Sequence, residues 1–136
     1  MATQITPQPL VPGNRLFGGE QLNFLFAGPV WSSQQSVTAN GTTQAAGTQI
    51  TATITNFTTV ASSGVAILPK AVAGSVLLVL NNGANTLTLY PYATTDTIDG
   101  GTAGASTTLS TTSRGAWFYA VTTGVWISAI VGATTS

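Results

Sequence analysis

The chain has no cysteine and no histidine, and formal charge is confined to three basic and three acidic residues among its 136. Each absence removes a class of chemistry. Without cysteine there is no disulfide framework, no thiolate nucleophile and no soft metal ligand. Without histidine the commonest general base is gone, and with it every Ser–His and Cys–His dyad. Zinc and other metals that prefer nitrogen and sulfur donors find no ligand set. Charged residues make up 4% of the chain, against roughly 25% in an ordinary soluble domain. The whole inventory is Arg15, Glu20, Lys70, Asp96, Asp99 and Arg114. Three scattered cations cannot neutralise a run of phosphates, so nucleic acid is not an expected partner. A net charge of zero also supplies no self-repulsion to keep copies apart, which favours a subunit of an assembly over a freely diffusing enzyme.

Long hydrophobic runs are missing too. The longest, residues 71–80, is about half the ~20 residues a membrane-spanning helix needs. It ends at Asn81-Asn82-Gly83 and reads as a buried strand, so no membrane partner is expected. The opening residues 1–9 have neither the basic start nor the apolar stretch of a secretory leader, and synthesis in the cytoplasm is the expectation. On that basis the sequons at Asn40-Gly41-Thr42 and Asn56-Phe57-Thr58 read as chance matches in a Thr-rich chain.

What is present is β-forming sequence. Hydrophobic residues account for 43% of the chain, enough for a core in a domain of this size. Residues 1–36 stand apart: Pro7, Pro9, Pro12 and Pro29 interrupt them and no periodicity is sustained. Proline fixes φ and removes a backbone donor, so this stretch reads as an extended N-terminal arm. It nevertheless carries Leu16, Phe17, Phe24, Phe26 and Trp31, which must be covered by the arm's own domain or by a neighbour. From Val37 to Ser136 strand follows strand. Ile50, Ala52 and Ile54 alternate with Thr51, Thr53 and Thr55, the pattern of a half-buried strand. Residues 64–68 form a short β-rich run stopped by Pro69. Residues 75–80 are continuously apolar, as in a central strand covered on both faces. Leu87 and Leu89 face one way within residues 86–90, and residues 107–109 form another short strand. Residues 115–121 and 125–131 make a hairpin about Thr122-Thr123-Gly124. No window has helical period. The expected fold is all-β, a jelly-roll-like sandwich or barrel over residues 37–136 carrying the arm 1–36.

Candidate chemistry is sparse. Asp96 and Asp99 are the only paired carboxylates. They lie three residues apart on one glycine-flanked loop, whereas a glycosidase pair faces across a cleft. Turn formation is the simpler role for both. Calcium is the fairer rival, given hard oxygen donors, but the spacing is not that of an EF-hand. Gly18-Gly19-Glu20 is not followed by the Gly-Lys-Ser/Thr of a phosphate loop. Trp117, Phe118, Tyr119 and Trp126 suit a core, a subunit interface or a sugar-stacking platform; strand alternation puts Trp117 and Tyr119 on one side and Phe118 on the other. No catalytic residue, metal or cofactor is expected.

One resemblance covers about half the chain, residues 64–130. Residues 73–91, with Asn81-Asn82-Gly83-Ala84-Asn85 and the closing Tyr90-Pro91, look like a β-module of tailed-bacteriophage virion proteins. So do Asp96-Thr97-Ile98-Asp99-Gly100-Gly101 and the later Gly124-Val125-Trp126, although Thr95 stands where that module usually has glycine. The resemblance implies a structural virion protein. A compact β-domain with an arm fits a capsid decoration, or cement, protein better than a long fibre, which would need repeats or heptads. Its implied partners are the major capsid protein and two further copies in a homotrimer, and its implied place is the outer capsid surface. In this picture Leu16, Phe17, Phe24, Phe26 and Trp31 staple neighbouring capsomers. The alternative is a receptor- or glycan-binding module of a head fibre or tail fibre.

Overall fold

A computed structural model describes residues 32–133 as ten strands in two sheets. The first six strands wind between the sheets in strict alternation. β1 (Ser33–Ala39) lies in the larger sheet and β2 (Thr48–Gln49), reached through a 3-10 turn at Gln44–Ala46, in the smaller one. β3 (Ile54–Val60) returns to the larger sheet, β4 (Val65–Ile67) to the smaller, then β5 (Val76–Asn81) and β6 (Leu87–Tyr90) repeat the cycle. Parallel neighbours need a long crossover, and here each crossover is a strand of the opposite sheet. β1, β3 and β5 are therefore parallel to one another, as are β2, β4 and β6.

The winding then reverses. β7 (Thr97–Ile98) pairs with β10 (Val125–Ala133), and β8 (Thr107–Leu109) runs antiparallel to β6. β9 (Ser113–Thr122) runs antiparallel to both β5 and β10. The six-stranded order is β1-β3-β5-β9-β10-β7 and the four-stranded order β2-β4-β6-β8. The all-β two-layer expectation holds. Its jelly-roll variant is not the observed winding: that architecture is antiparallel, whereas five of the eight pairings here are parallel.

Between the layers, Phe57, Leu77, Val79, Phe118 and Trp126 of the larger sheet meet Ala66, Leu87, Leu89 and Leu109 of the smaller, all buried. Phe118 and Trp126 pack edge to face, with ring centroids 6.5 Å apart and planes at 89°, a geometry that sets a positive ring edge on a negative face. The indole N–H donates to the Pro69 carbonyl at 3.3 Å, so burial leaves it satisfied.

Three local expectations change. Residues 50–55 are not one strand: the chain crosses between sheets at 51–53. The crossing resets the parity, leaving Thr55 wholly buried and Ile54 half-buried on the outer side. Residues 75–80 do form a central strand, but only Leu77 and Val79 are fully covered, while Leu78 and Leu80 stay half-buried and Val76 exposed. β1 opens at Ser33, ahead of the Val37 boundary drawn from the sequence. Its Ser-Gln-Gln-Ser start shows no apolar alternation because pairing with β3 is made by backbone, not by buried side chains.

Candidate functional site

The Asp96–Asp99 loop comes first, as the one place where the sequence brings carboxylates together. Asp99 has φ of +54°, a left-handed conformation that Asp tolerates better than most residues. One carboxylate oxygen accepts the Ser128 backbone N–H at 2.6 Å and the other the Ser128 hydroxyl at 2.6 Å. The Asp99 N–H donates to the Trp126 carbonyl at 2.8 Å, and Thr97 N–H to the Gly124 carbonyl at 2.9 Å. Both oxygens of Asp99 thus fasten the loop to β10. Asp96 closes the same loop through its backbone, receiving the Gly104 N–H at 2.8 Å. Among the described residues no three His, Cys, Asp or Glu side chains gather as a metal would require. The loop's geometry is that of a fastened turn.

A second polar cluster surrounds Asn81, whose side chain is fully buried. Its amide nitrogen donates to the carbonyls of Asn85 at 3.0 Å and Leu109 at 2.8 Å, and its oxygen accepts the Gly83 N–H at 3.0 Å. Asn85 in turn donates to the Val60 carbonyl at 2.7 Å. The Asn-Asn-Gly-Ala-Asn segment is therefore a knot tying β3, β5 and β8 together, with the side-chain bonds of Asn81 and Asn85 directed at the protein's own backbone.

The larger sheet's outer face is different in kind. Cross-strand register sets Val76, Tyr119 and Ile127 in one row across β5, β9 and β10. The next row is Ile54, Leu78, Trp117 and Ala129, and the third is Asn56, Leu80, Gly115 and Val131. Gly115 leaves room for its neighbours in that third row: a Cβ there would stand 2.7 Å from Leu80 Cδ2 and 3.1 Å from the Val79 carbonyl oxygen, so the Leu80 side chain would have to move. Exposure is highest towards the hairpin end, at 38% for Val76, 39% for Tyr119, 37% for Ile127 and 61% for Val121.

The opposite end is bordered by a side-chain ladder. Asn56 donates to Gln35 at 3.1 Å, Asn82 donates to Asn56 at 2.8 Å, and Arg114 donates to Asn82 at 3.3 Å. These groups satisfy one another and mark where the apolar rows stop. A shallow recess beside the first row, lined by Ser32, Thr51, Thr53, Pro69, Ser75 and Val76, contains no ionisable side chain.

The aromatic residues divide as alternation requires: Phe118 and Trp126 go to the core, Trp117 and Tyr119 to the outer face. Leu16, Phe17, Phe24, Phe26 and Trp31 lie outside the described residues. Sequence reasoning did not find the ladder, since Gln35, Asn56, Asn82 and Arg114 are far apart in the chain. It also missed the outer apolar face, because the run at residues 75–80 reads as core on both sides. Comparison with protein-family models, curated proteins and solved structures finds no match for this chain.

Proposed function

We propose that this protein is a non-enzymatic structural component of a tailed-phage virion, a decoration protein that binds the outer capsid surface and cements neighbouring capsomers, as a homotrimer. The observation that carries the reading is the combination of a nearly uncharged chain with apolar side chains such as Val76, Tyr119, Val121 and Ile127 exposed on a sheet. Such a molecule acts through the surfaces it covers. The Asp99 and Asn81 side chains are bonded within the fold itself, to Ser128 and to the backbone of Gly83, Asn85 and Leu109. The segments that resemble the phage β-module, residues 81–85 and 96–101 together with Gly124-Val125-Trp126, are the ones that hold these turns.

The N-terminal segment supplies the capsid contact in this reading, through Leu16, Phe17, Phe24, Phe26 and Trp31. Each large apolar side chain withdrawn from water contributes ~1.5–3 kcal/mol, and repetition over many sites on a shell multiplies the effect. Removal of residues 1–30 is expected to leave a folded domain that no longer binds shells stripped of the protein. Co-sedimentation of the truncated chain with such shells, at the level of the full chain, would reject the arm's role.

A second reading, a glycan-binding module of a head fibre or tail fibre, draws on Tyr119 and Trp117 sharing the outer face. Aromatic faces stack on sugars, but here their row neighbours are Val76, Ile127, Leu78 and Ala129, which offer a sugar's hydroxyls no partner. Binding to a host-polysaccharide array would favour this reading over the first.

A further inference from the structure

We infer that Asn40 is a site of spontaneous modification in the folded protein, its side-chain amide being hydrolysed through a cyclic imide closed by the Gly41 backbone nitrogen. The inference goes beyond the assembly reading above and stands whether or not that reading holds.

The chemistry needs only water. The Gly41 nitrogen attacks Asn40 Cγ; a C–N bond forms there and the bond from Cγ to Nδ2 breaks. The side-chain nitrogen leaves as ammonia, with the proton that the Gly41 nitrogen gives up. Water then adds to one of the two imide carbonyls and breaks its C–N bond, which leaves either aspartate or isoaspartate. Glycine is the most permissive residue to supply the attacking nitrogen, because no Cβ obstructs ring closure.

The sequence holds two Asn-Gly pairs, Asn40-Gly41 and Asn82-Gly83, and both asparagines are exposed. Exposure therefore does not separate them. Hydrogen bonding does. At the second pair every reacting group is engaged. The Gly83 N–H donates to Asn81 Oδ1 at 3.0 Å, Asn82 Nδ2 donates to Asn56 Oδ1 at 2.8 Å, and Asn82 Oδ1 accepts from Arg114 Nη1 at 3.3 Å. The nucleophile keeps its proton and the carbonyl is held in one orientation, so these bonds must break before the ring can close. Gly83 is also packed hard against β3, where an added Cβ would stand 2.7 Å from the Val60 nitrogen.

At the first pair those bonds are missing. Asn40 follows Ala39, the last residue of β1, and is tied through its backbone, whose N–H donates to Thr48 Oγ1 at 3.1 Å. Among the described residues, neither its side-chain amide nor the Gly41 N–H has a hydrogen-bond partner. The fold nevertheless demands glycine at position 41. Its φ is +79°, and a Cβ there would run into the Ala46 carbonyl oxygen. The bend that needs glycine thus sets the least hindered nitrogen beside an unrestrained amide. Hydrolysis gives a fourth carboxylate to a chain that balances three acidic residues against three basic ones.

The test is to incubate the full-length protein in mildly alkaline buffer, which deprotonates the attacking nitrogen, and to follow each site by peptide mapping. Asn40 is expected to convert to a mixture of aspartate and isoaspartate. Its rate should exceed that of Asn82 by roughly tenfold or more, since the Asn82 bonds must be broken on the way to reaction. In concentrated urea the two rates should converge, because only the fold tells the sites apart. The wild-type chain should develop an acidic species on anion exchange. Asn40→Gln should not, because glutamine must close a larger ring. The proposal is overturned if Asn40 stays intact in the folded chain, if Asn82 converts as fast before unfolding, or if the difference persists undiminished in urea.

Discussion

At the scale of single residues, the chain uses its few strong hydrogen-bonding side chains as fasteners. Asn81 is the clearest. It is wholly enclosed and makes three bonds, to Gly83, Asn85 and Leu109, so its loss exposes three backbone groups to an interior that cannot solvate them. Each buried group left unpaired costs about 1–3 kcal/mol. Asn81→Ala is therefore expected to lower unfolding free energy by about 2–4 kcal/mol, read from urea denaturation; a change under 1 kcal/mol would mean the turn is held by its backbone alone. Asn81→Asp should be no rescue, because the carboxylate keeps the acceptor for Gly83 but has no donor for either carbonyl. Thr55 shows the subtler use of a polar residue. It sits fully buried in β3 with its hydroxyl directed to the Ala52 carbonyl at 3.4 Å, filling a β-branched position in the core while Ile54 takes the outer side.

Elements were legible in the sequence wherever a turn signal and an alternation agreed. The hairpin of β9 and β10 is the strongest case: aromatic and β-branched strands flank a turn whose Gly124 has φ of +80°. A side chain there would be strained by that φ and would also bring its Cβ within 3.1 Å of Asp96 Oδ1. Gly124→Ala is expected to cost about 1–2 kcal/mol, seen as a lowered melting temperature, and an unchanged melting temperature would show that the hairpin end relaxes freely. The strand pair of Leu87 and Leu89 was equally readable, both residues being fully buried in β6. Legibility failed where side-chain pattern and backbone pairing part company. Ser33 to Ser36 carry no hydrophobic signal yet belong to β1, and the alternation of residues 50–55 runs straight across a change of sheet. The outer face failed for another reason. An apolar run cannot say how far its second side is covered, so Val76, Leu78 and Leu80 read as core on both faces. Strand order, with its alternation between sheets, depends on contacts far apart in sequence and leaves no local mark.

For the whole molecule, the scarcity of charge has a thermodynamic consequence. Stability depends on pH only through the difference in bound protons between folded and unfolded chains. With histidine and cysteine both absent, no side-chain type present ordinarily changes charge between roughly pH 5.5 and 8.5. Melting temperature is accordingly expected to be flat across that window, within about 2 °C; a steep slope would point to an ionisable group with an unusual environment. The winding itself has a further consequence, set by how it begins. Parallel rungs laid one on another offer no built-in stopping point, since the outermost strand presents the same unmet backbone groups that the previous one used. Among the described residues the first rung, β1, is irregular. β1 slips register twice against β3, between Gln34 and Val37 and again between Val37 and Thr38, and Ser36 turns to φ +61°. A crooked rung is a poor template for a straight one. Growth of the larger sheet by addition of a further strand to β1 is therefore disfavoured.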